Sequence, residues 1–262
     1  MDLGVSGRAC VVTGGSGDVG LAAARRLADE GAGVLLVGRS EDKLAEAADR
    51  CGGDAGWLAL DVTARDAGER AARTCQERFG RLDALVNGAG AMRVTAIDEL
   101  TDADWQAQWD LHVMAPMRMM RAAVPLMVQA GWGRVVNVSS SAGKRPGQRN
   151  VAYSVTKAAV LSLSRAYADR YARDGVLVNA VTPGPIGGEL WLQAGGLVDQ
   201  TARAQGGTRE GVLEAARAGL PIRRLAQPQE IADVIVFLCS EVASNVAGAA
   251  WSVDGGAVPV II

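Results

Sequence analysis

The sequence predicts an α/β fold: a doubly wound, seven-stranded parallel sheet with helices on both faces. Short apolar runs alternate with stretches of helical periodicity along nearly the whole chain. Almost every apolar run ends in Gly, Asn, Asp, Ser or Pro, as strands do where they open into loops. Small residues dominate, with 33 glycines and only 4% aromatics beside 49% hydrophobic residues. That composition suits helices packed closely onto a sheet buried on both sides.

Ala9-Cys10-Val11-Val12-Thr13 reads as the first strand, ended by glycines, and Leu21 to Glu30 as a helix that stops at Gly31. Val34 to Val37 is the second strand, followed by a helix over 41–50. Leu58-Ala59-Leu60 ends at Asp61 and precedes a helix over 66–79. Ala84-Leu85-Val86 runs into Asn87-Gly88-Ala89-Gly90, and a long helix is expected over 102–130. Arg134 to Val138 leads to Ser139-Ser140-Ser141, then to a helix over 151–173. Val176 to Val181 ends at Thr182-Pro183-Gly184, and a helix over 228–239 precedes the last strand, 249–253. In such sheets ligands bind at the carboxyl ends of the strands.

One stretch breaks the alternation. Residues 187–219 carry Gly187, Gly188, Gly195, Gly196, Gly206, Gly207 and Gly211, and are too long for an ordinary loop. They also hold Leu190, Trp191, Leu192, Leu197 and Val198. The expectation is a mobile, partly helical lid whose apolar residues face a pocket. With it, residues 1–262 read as a single domain.

Composition narrows the function. Net charge is −2 with no long basic run, which argues against nucleic acid. The start lacks the form of a signal peptide, and no apolar run reaches the ~18 residues of a membrane span. Cys10, Cys51, Cys75 and Cys239 are scattered without a CxxC pair, which suits free thiols in the cytoplasm. His112 is the single histidine, so no metal site is expected, and redox chemistry calls for an organic cofactor.

Gly15-Ser16-Gly17-Asp18-Val19-Gly20 matches G-x-G-x-x-G directly after a strand and at the opening of a helix. The missing side chains let backbone approach a pyrophosphate, and the helix start supplies amide donors. A carboxylate after the second strand would bind the ribose of NAD, whereas an arginine suits the extra phosphate of NADP. The residues there are Gly38 and Arg39, so NADP(H) is favoured over NAD(H), with Asp18 arguing mildly the other way. Further on, Tyr153 and Lys157 stand one helical turn apart and share a face. Ser140 lies thirteen residues before the tyrosine. A phenol titrates near ~10, and a nearby ammonium lowers that value. With a serine holding the substrate oxygen and a hydride source alongside, these groups would interconvert a carbonyl and an alcohol.

The assembled motifs resemble the single-domain short-chain dehydrogenase/reductase family over almost the whole chain. The family's glycine loop appears as Thr13-Gly14 through Gly17-Asp18-Val19-Gly20, its adenine-side acid as Asp61 followed by Val62, and its NNAG segment as Asn87-Gly88-Ala89-Gly90. Ser140, Tyr153 and Lys157 match its serine and YxxxK positions, Pro183, Gly184 and Ile186 its nicotinamide turn, and Val253 to Gly256 its carboxyl-terminal segment. The resemblance implies a Rossmann-type fold. It makes Tyr153 the general acid/base, Lys157 the ribose-binding partner that depresses the tyrosine, and Ser140 the group that orients the carbonyl, with Asn87 near the cofactor. Asp18 replaces a loop glycine, Gly88 replaces an asparagine, and His112 stands where the family has a catalytic asparagine. Two readings of His112 follow: a relay that titrates between roughly pH 5 and 8, or a core side chain that only fills the kink. Met114, Met117, Met119 and Met120 crowd the same helix and suit either a pocket or plain packing.

The resemblance is strongest to the 3-oxoacyl-(acyl-carrier-protein) reductase branch, and Lys144, Arg145 and Arg149 are candidates to meet an anionic carrier or a carboxylate. An NAD-dependent sugar, polyol or secondary-metabolite alcohol dehydrogenase is the alternative. A decayed dinucleotide-binding regulator is the third reading. The family's pairing of the long helix and the tyrosine helix between subunits implies a homodimer or homotetramer.

Overall fold

In the computed structural model, residues 2–259 are described. Seven strands form one parallel sheet: β1 (Ala9–Thr13), β2 (Gly33–Gly38), β3 (Ala55–Ala59), β4 (Ala84–Asn87), β5 (Gly133–Val138), β6 (Val176–Pro183) and β7 (Ala250–Val253). Their order is β3-β2-β1-β4-β5-β6-β7. The helices are α1 (Asp18–Asp29), α2 (Glu41–Cys51), α3 (Ala67–Phe79), α4 (Asp102–Trp109), α5 (Ala115–Ala130), α6 (Val151–Tyr171), α7 (Glu189–Leu192), α8 (Leu197–Gln205), α9 (Arg209–Ala218) and α10 (Pro228–Leu238). The expected order of elements holds, with ends displaced by a few residues.

Strands buried on both faces must be apolar throughout, and β1, β4 and β6 are buried along their full length. Side chains alternate across the sheet, so the core divides in two. Cys10, Val12, Val34 and Leu36 meet Leu27 of α1, Leu44 of α2 and Ile235 of α10. Val11, Leu35, Leu85 and Val135 meet Cys75 of α3, and Met120 and Met127 of α5.

The chain winds one way from β1 to β3 and the other way from β4 to β7, so a crevice opens between the ends of β1 and β4. Register brings the site together there. Thr13 pairs with both Val37 and Asn87, and Asn87 pairs with Asn137.

The expected single helix over 102–130 departs from that form. Residues Asp110–Met114 make a wide π-helical turn between α4 and α5, and the Ala115 amide reaches back to the Asp110 carbonyl. Pro116 has no amide hydrogen to give the His112 carbonyl, so the ordinary ladder is interrupted at this point.

The amino ends of the central strands are locked separately. Buried Asp83 accepts hydrogen bonds from the Ala9 amide at 2.8 Å and from Arg81 Nε at 2.6 Å. The Arg8 and Arg134 guanidinium groups lie 3.7 and 4.3 Å from the centre of the Trp132 ring.

Candidate active site

The glycine loop is shaped by what a side chain there would strike. Gly14 has φ +69°, and a Cβ on it would meet the Ala89 backbone at 2.9 Å. A Cβ on Gly20 would run into the Gly14 carbonyl. Gly17 differs, since a Cβ there would meet only the Gly14 carbonyl, at 3.4 Å. It lines a cleft of about 520 Å³, so its missing side chain leaves the cleft open. Thr13 Oγ1 accepts the Gly88 and Ala89 amides at 3.1 and 3.3 Å, which pins the loop after β4 to the end of β1. The start of α1 has no side-chain cap, so its first amides remain for an anion. This cradle fits a pyrophosphate.

Gly14, Gly17, Asp18, Val19, Gly20, Arg39, Gly90, Ser140, Tyr153, Lys157, Pro183, Gly184 and Ile186 all line the cleft. Ser16, Asp61, Val62, Asn87, Ala89 and His112 are not among its lining residues. Ser16 is packed against the end of β2, its Oγ 3.6 Å from where a Gly38 side chain would begin. Asp61 accepts the Thr63 amide and hydroxyl at 2.9 and 2.8 Å. Those bonds, with Arg39 nearby, hold its carboxyl below the usual range. Arg39 itself is exposed at the cleft's edge. Val62 is buried, and so is Asn87, whose Nδ2 donates to Asn137 Oδ1 at 2.8 Å. Asn137 passes the chain on to Ser164 Oγ at 2.8 Å, tying β4 and β5 to α6. Asn87 Oδ1 has no partner among the described residues.

Tyr153 and Lys157 project from the first two turns of α6 beside Ser140, which follows β5. Ser139 Oγ donates to the Lys157 carbonyl at 2.7 Å, so β5 holds α6 in place. Lys157 Nζ donates to the Val138 carbonyl at 2.8 Å and lies 5.5 Å from the centre of the Tyr153 ring. Burial lowers the Lys157 ammonium to about 8. The tyrosine departs from expectation. Burial pushes its phenol up, and the hydrogen bond with Ser140 offsets only part of that rise. Lys157 gives its hydrogen bond to the backbone of Val138 and none to the Tyr153 hydroxyl.

His112 occupies the π-helical turn and is 1% exposed. The Ala91 amide donates to its Nε2 at 3.2 Å, so Nε2 carries no proton. Nδ1 therefore carries the proton and donates to Thr156 Oγ1 at 3.1 Å. Thr156 Oγ1 donates in turn to the Tyr153 carbonyl at 2.8 Å. Burial, and then the Lys157 charge, push the imidazole down to about 2. A relay that titrates between roughly pH 5 and 8 does not fit this environment.

Lys144 also differs from expectation. Its Nζ donates to the Ala250 carbonyl at 2.8 Å and to Ser252 Oγ at 3.0 Å, so it ties its loop to β7. Arg145 and Arg149 are exposed. Met119 and Met120 are core residues, whereas the methionine that lines the cleft is Met92. Met92 and Asn150, which touch through Asn150 Nδ2 and Met92 Sδ at 3.3 Å, escaped the sequence reading. The available signal was position: Met92 follows Gly90 by two residues, and Asn150 directly precedes the tyrosine helix. Leu190, Trp191 and Leu197 of segment 187–219 line the cleft.

A family model described as enoyl-(acyl carrier protein) reductase matches residues 15–258. The chain is 38% identical to cis-4-hydroxycyclohexanecarboxylate dehydrogenase of Sinomonas cyclohexanicum, covering 95% of this chain and 96% of that one. It is 31% identical to a 3-oxoacyl-[acyl-carrier-protein] reductase of Thermotoga maritima, covering 97% and 99%. L-sorbose reductase from Gluconobacter frateurii, solved with NADPH and L-sorbose, superposes with a TM-score of 0.92 at 36% identity over the whole of both chains.

Proposed function

Because this chain belongs to the short-chain dehydrogenase/reductase family, we propose that it is an NADP(H)-dependent enzyme interconverting a small ketone and a secondary alcohol. The observation that carries this is the convergence of Ser140, Tyr153 and Lys157 on one cleft that also contains the glycine loop. A nicotinamide dinucleotide held there would supply or accept the hydride. Ser140 Oγ holds the substrate oxygen. The Tyr153 hydroxyl gives that oxygen its proton in reduction and takes it back in oxidation. Lys157 would hold the nicotinamide ribose, and its charge in a buried setting would favour the phenolate when the proton leaves. His112 keeps Thr156 and the Ala91 backbone in place around these groups and is a positioning residue.

Arg39 at the cleft's edge supports NADP(H) over NAD(H), and so does the NADPH bound by the sorbose reductase. The bonds from Lys144 to β7 favour a small free substrate of the sugar, polyol or cyclic-alcohol kind over a carrier-bound acyl chain. The carrier reading keeps the support of exposed Arg145 and Arg149 and of the likeness to acyl-carrier-protein reductases.

Exposed Trp109 of α4 and Val155 of α6 support pairing of these helices in a homodimer or homotetramer. Light scattering on the purified protein measures it. Four buried free thiols favour a cytoplasmic setting. The deciding assay follows nicotinamide absorbance with NADPH and NADH over a panel of sugar ketones, cyclic ketones and 3-oxoacyl thioesters. Turnover only with thioesters would overturn the small-substrate reading, and no turnover with any ketone would overturn the activity.

A further inference from the structure

Asp18 is the residue of the glycine loop that the cofactor reading leaves unexplained. A carboxylate at the start of α1 lies beside the loop that would hold a pyrophosphate, and like charges repel. Its side chain has a partner far along the chain. Oδ2 accepts the Glu189 amide at 2.5 Å, across 171 residues of sequence. The neighbour of that amide makes the arrangement specific. Gly188 has φ −124°, a value any residue adopts, so its backbone does not demand glycine. What excludes a side chain is Asp18: a Cβ on Gly188 would overlap the Asp18 carboxylate. The bare position and the acid fit one another.

Among the described residues, three long-range hydrogen bonds fasten the first half of the segment that begins there. Behind it, the Gly187 amide donates to the Ala226 carbonyl at 2.8 Å. Ahead of it, Gln200 Oε1 accepts the Val94 amide at 3.0 Å. The Asp18 bond lies between these, directly before Leu190 and Trp191, which line the cleft. Of the three fastenings it alone ties the segment to the loop that would carry the cofactor phosphates.

We propose that Asp18 is a positioning residue that clasps segment 187–219 to the glycine loop, so that this segment must let go of Asp18 before the dinucleotide can leave. The clasp is a property of the chain alone. Its effect on cofactor release rests on the function proposed above, and the two parts are tested separately.

The first test is limited trypsin digestion of the full-length protein without cofactor, reading cleavage at Arg203, Arg209 and Arg217. Asp18→Ala should speed cleavage there by about tenfold, the equivalent of one net hydrogen bond. Asp18→Asn keeps an acceptor oxygen and should stay within about twofold of wild type on the same scale. Gly188→Ala should loosen the segment as Asp18→Ala does, and should add nothing in the Asp18→Ala background. Wild-type cleavage in Asp18→Ala, or additive effects of the two changes, would overturn the clasp. The second test is stopped-flow release of NADPH, expected to be faster in Asp18→Ala and near wild type in Asp18→Asn. Unchanged release with faster cleavage would remove the link to the cofactor and leave the clasp. Failure of wild type to bind NADPH would count against the proposed function alone.

Discussion

His112 stands edge-on to Tyr153, the ring centres 5.2 Å apart and the planes at 87°, yet its two nitrogens bond to Ala91 and Thr156. The ring packs against the tyrosine without sharing a proton with its hydroxyl. With the imidazole pushed down to about 2, it stays neutral throughout the working range. His112→Asn is therefore expected to retain substantial activity with an unchanged pH–rate profile between roughly pH 5 and 8. A profile that changes shape in that window would restore the relay.

The same depression affects folding. An unfolded histidine takes up a proton near ~6.5, whereas buried His112 does not, so protonation favours the unfolded chain. The stability contributed by the neutral ring is complete above that value and is lost as pH falls toward about 2. Between about pH 7 and about pH 5, wild type should lose about 2 kcal/mol that His112→Asn keeps. Urea titrations of both proteins at the two pH values measure it, and equal losses would refute it.

Tyr153→Phe should lower kcat by roughly a hundred- to ten-thousand-fold, the range for a lost general acid. NADPH binding, followed by fluorescence titration, should persist because the ring still fills its place. Turnover near the wild-type rate would require another proton donor in the cleft.

Lys157 gives a pH limit. Its ammonium is lowered to about 8 by burial, so the charged form predominates below that value and disappears above it. For ketone reduction, kcat/KM should be level below about pH 8 and fall above it, as the free enzyme's profile reports. A profile still level beyond that value would mean that the charge on Lys157 is not needed.

Arg39→Ala should weaken NADPH by about tenfold or more while leaving NADH nearly unchanged, the loss of one charge-assisted hydrogen bond. Parallel titrations of the two cofactors decide it. Equal losses for both would place Arg39 against a part of the dinucleotide that they share.

The succession of strands along the chain was legible because the central ones are buried parallel strands and so continuous apolar runs, as in Val34 to Val37. Tyr153, Lys157 and Ser140 were legible from local spacing. The π-helical turn was not, because moving one hydrogen bond leaves the apolar pattern of 102–130 intact, and only Pro116 marks it. Nor were the partners of Asp18 and Lys144, which lie 171 and 106 residues away. Spacing along a helix says which side chains share a face, but contacts between distant loops depend on how the whole sheet closes. The charge state of His112 is of the same kind, since burial sets it and a sequence gives the ring only its ordinary value.

The lock formed by Asp83, Arg81, Arg8, Trp132 and Arg134 grips the amino ends of β1, β4 and β5, while the glycine loop, Ser140 and Gly184 follow the carboxyl ends of β1, β5 and β6. The consequence concerns heritable change. Insertions, deletions or exchanged loops around the cleft leave the grip on the strands untouched, so specificity can drift while the framework persists. Segment 187–219 is the piece most open to such replacement, provided that whatever is grafted in its place still offers Asp18 a bare residue followed by an amide.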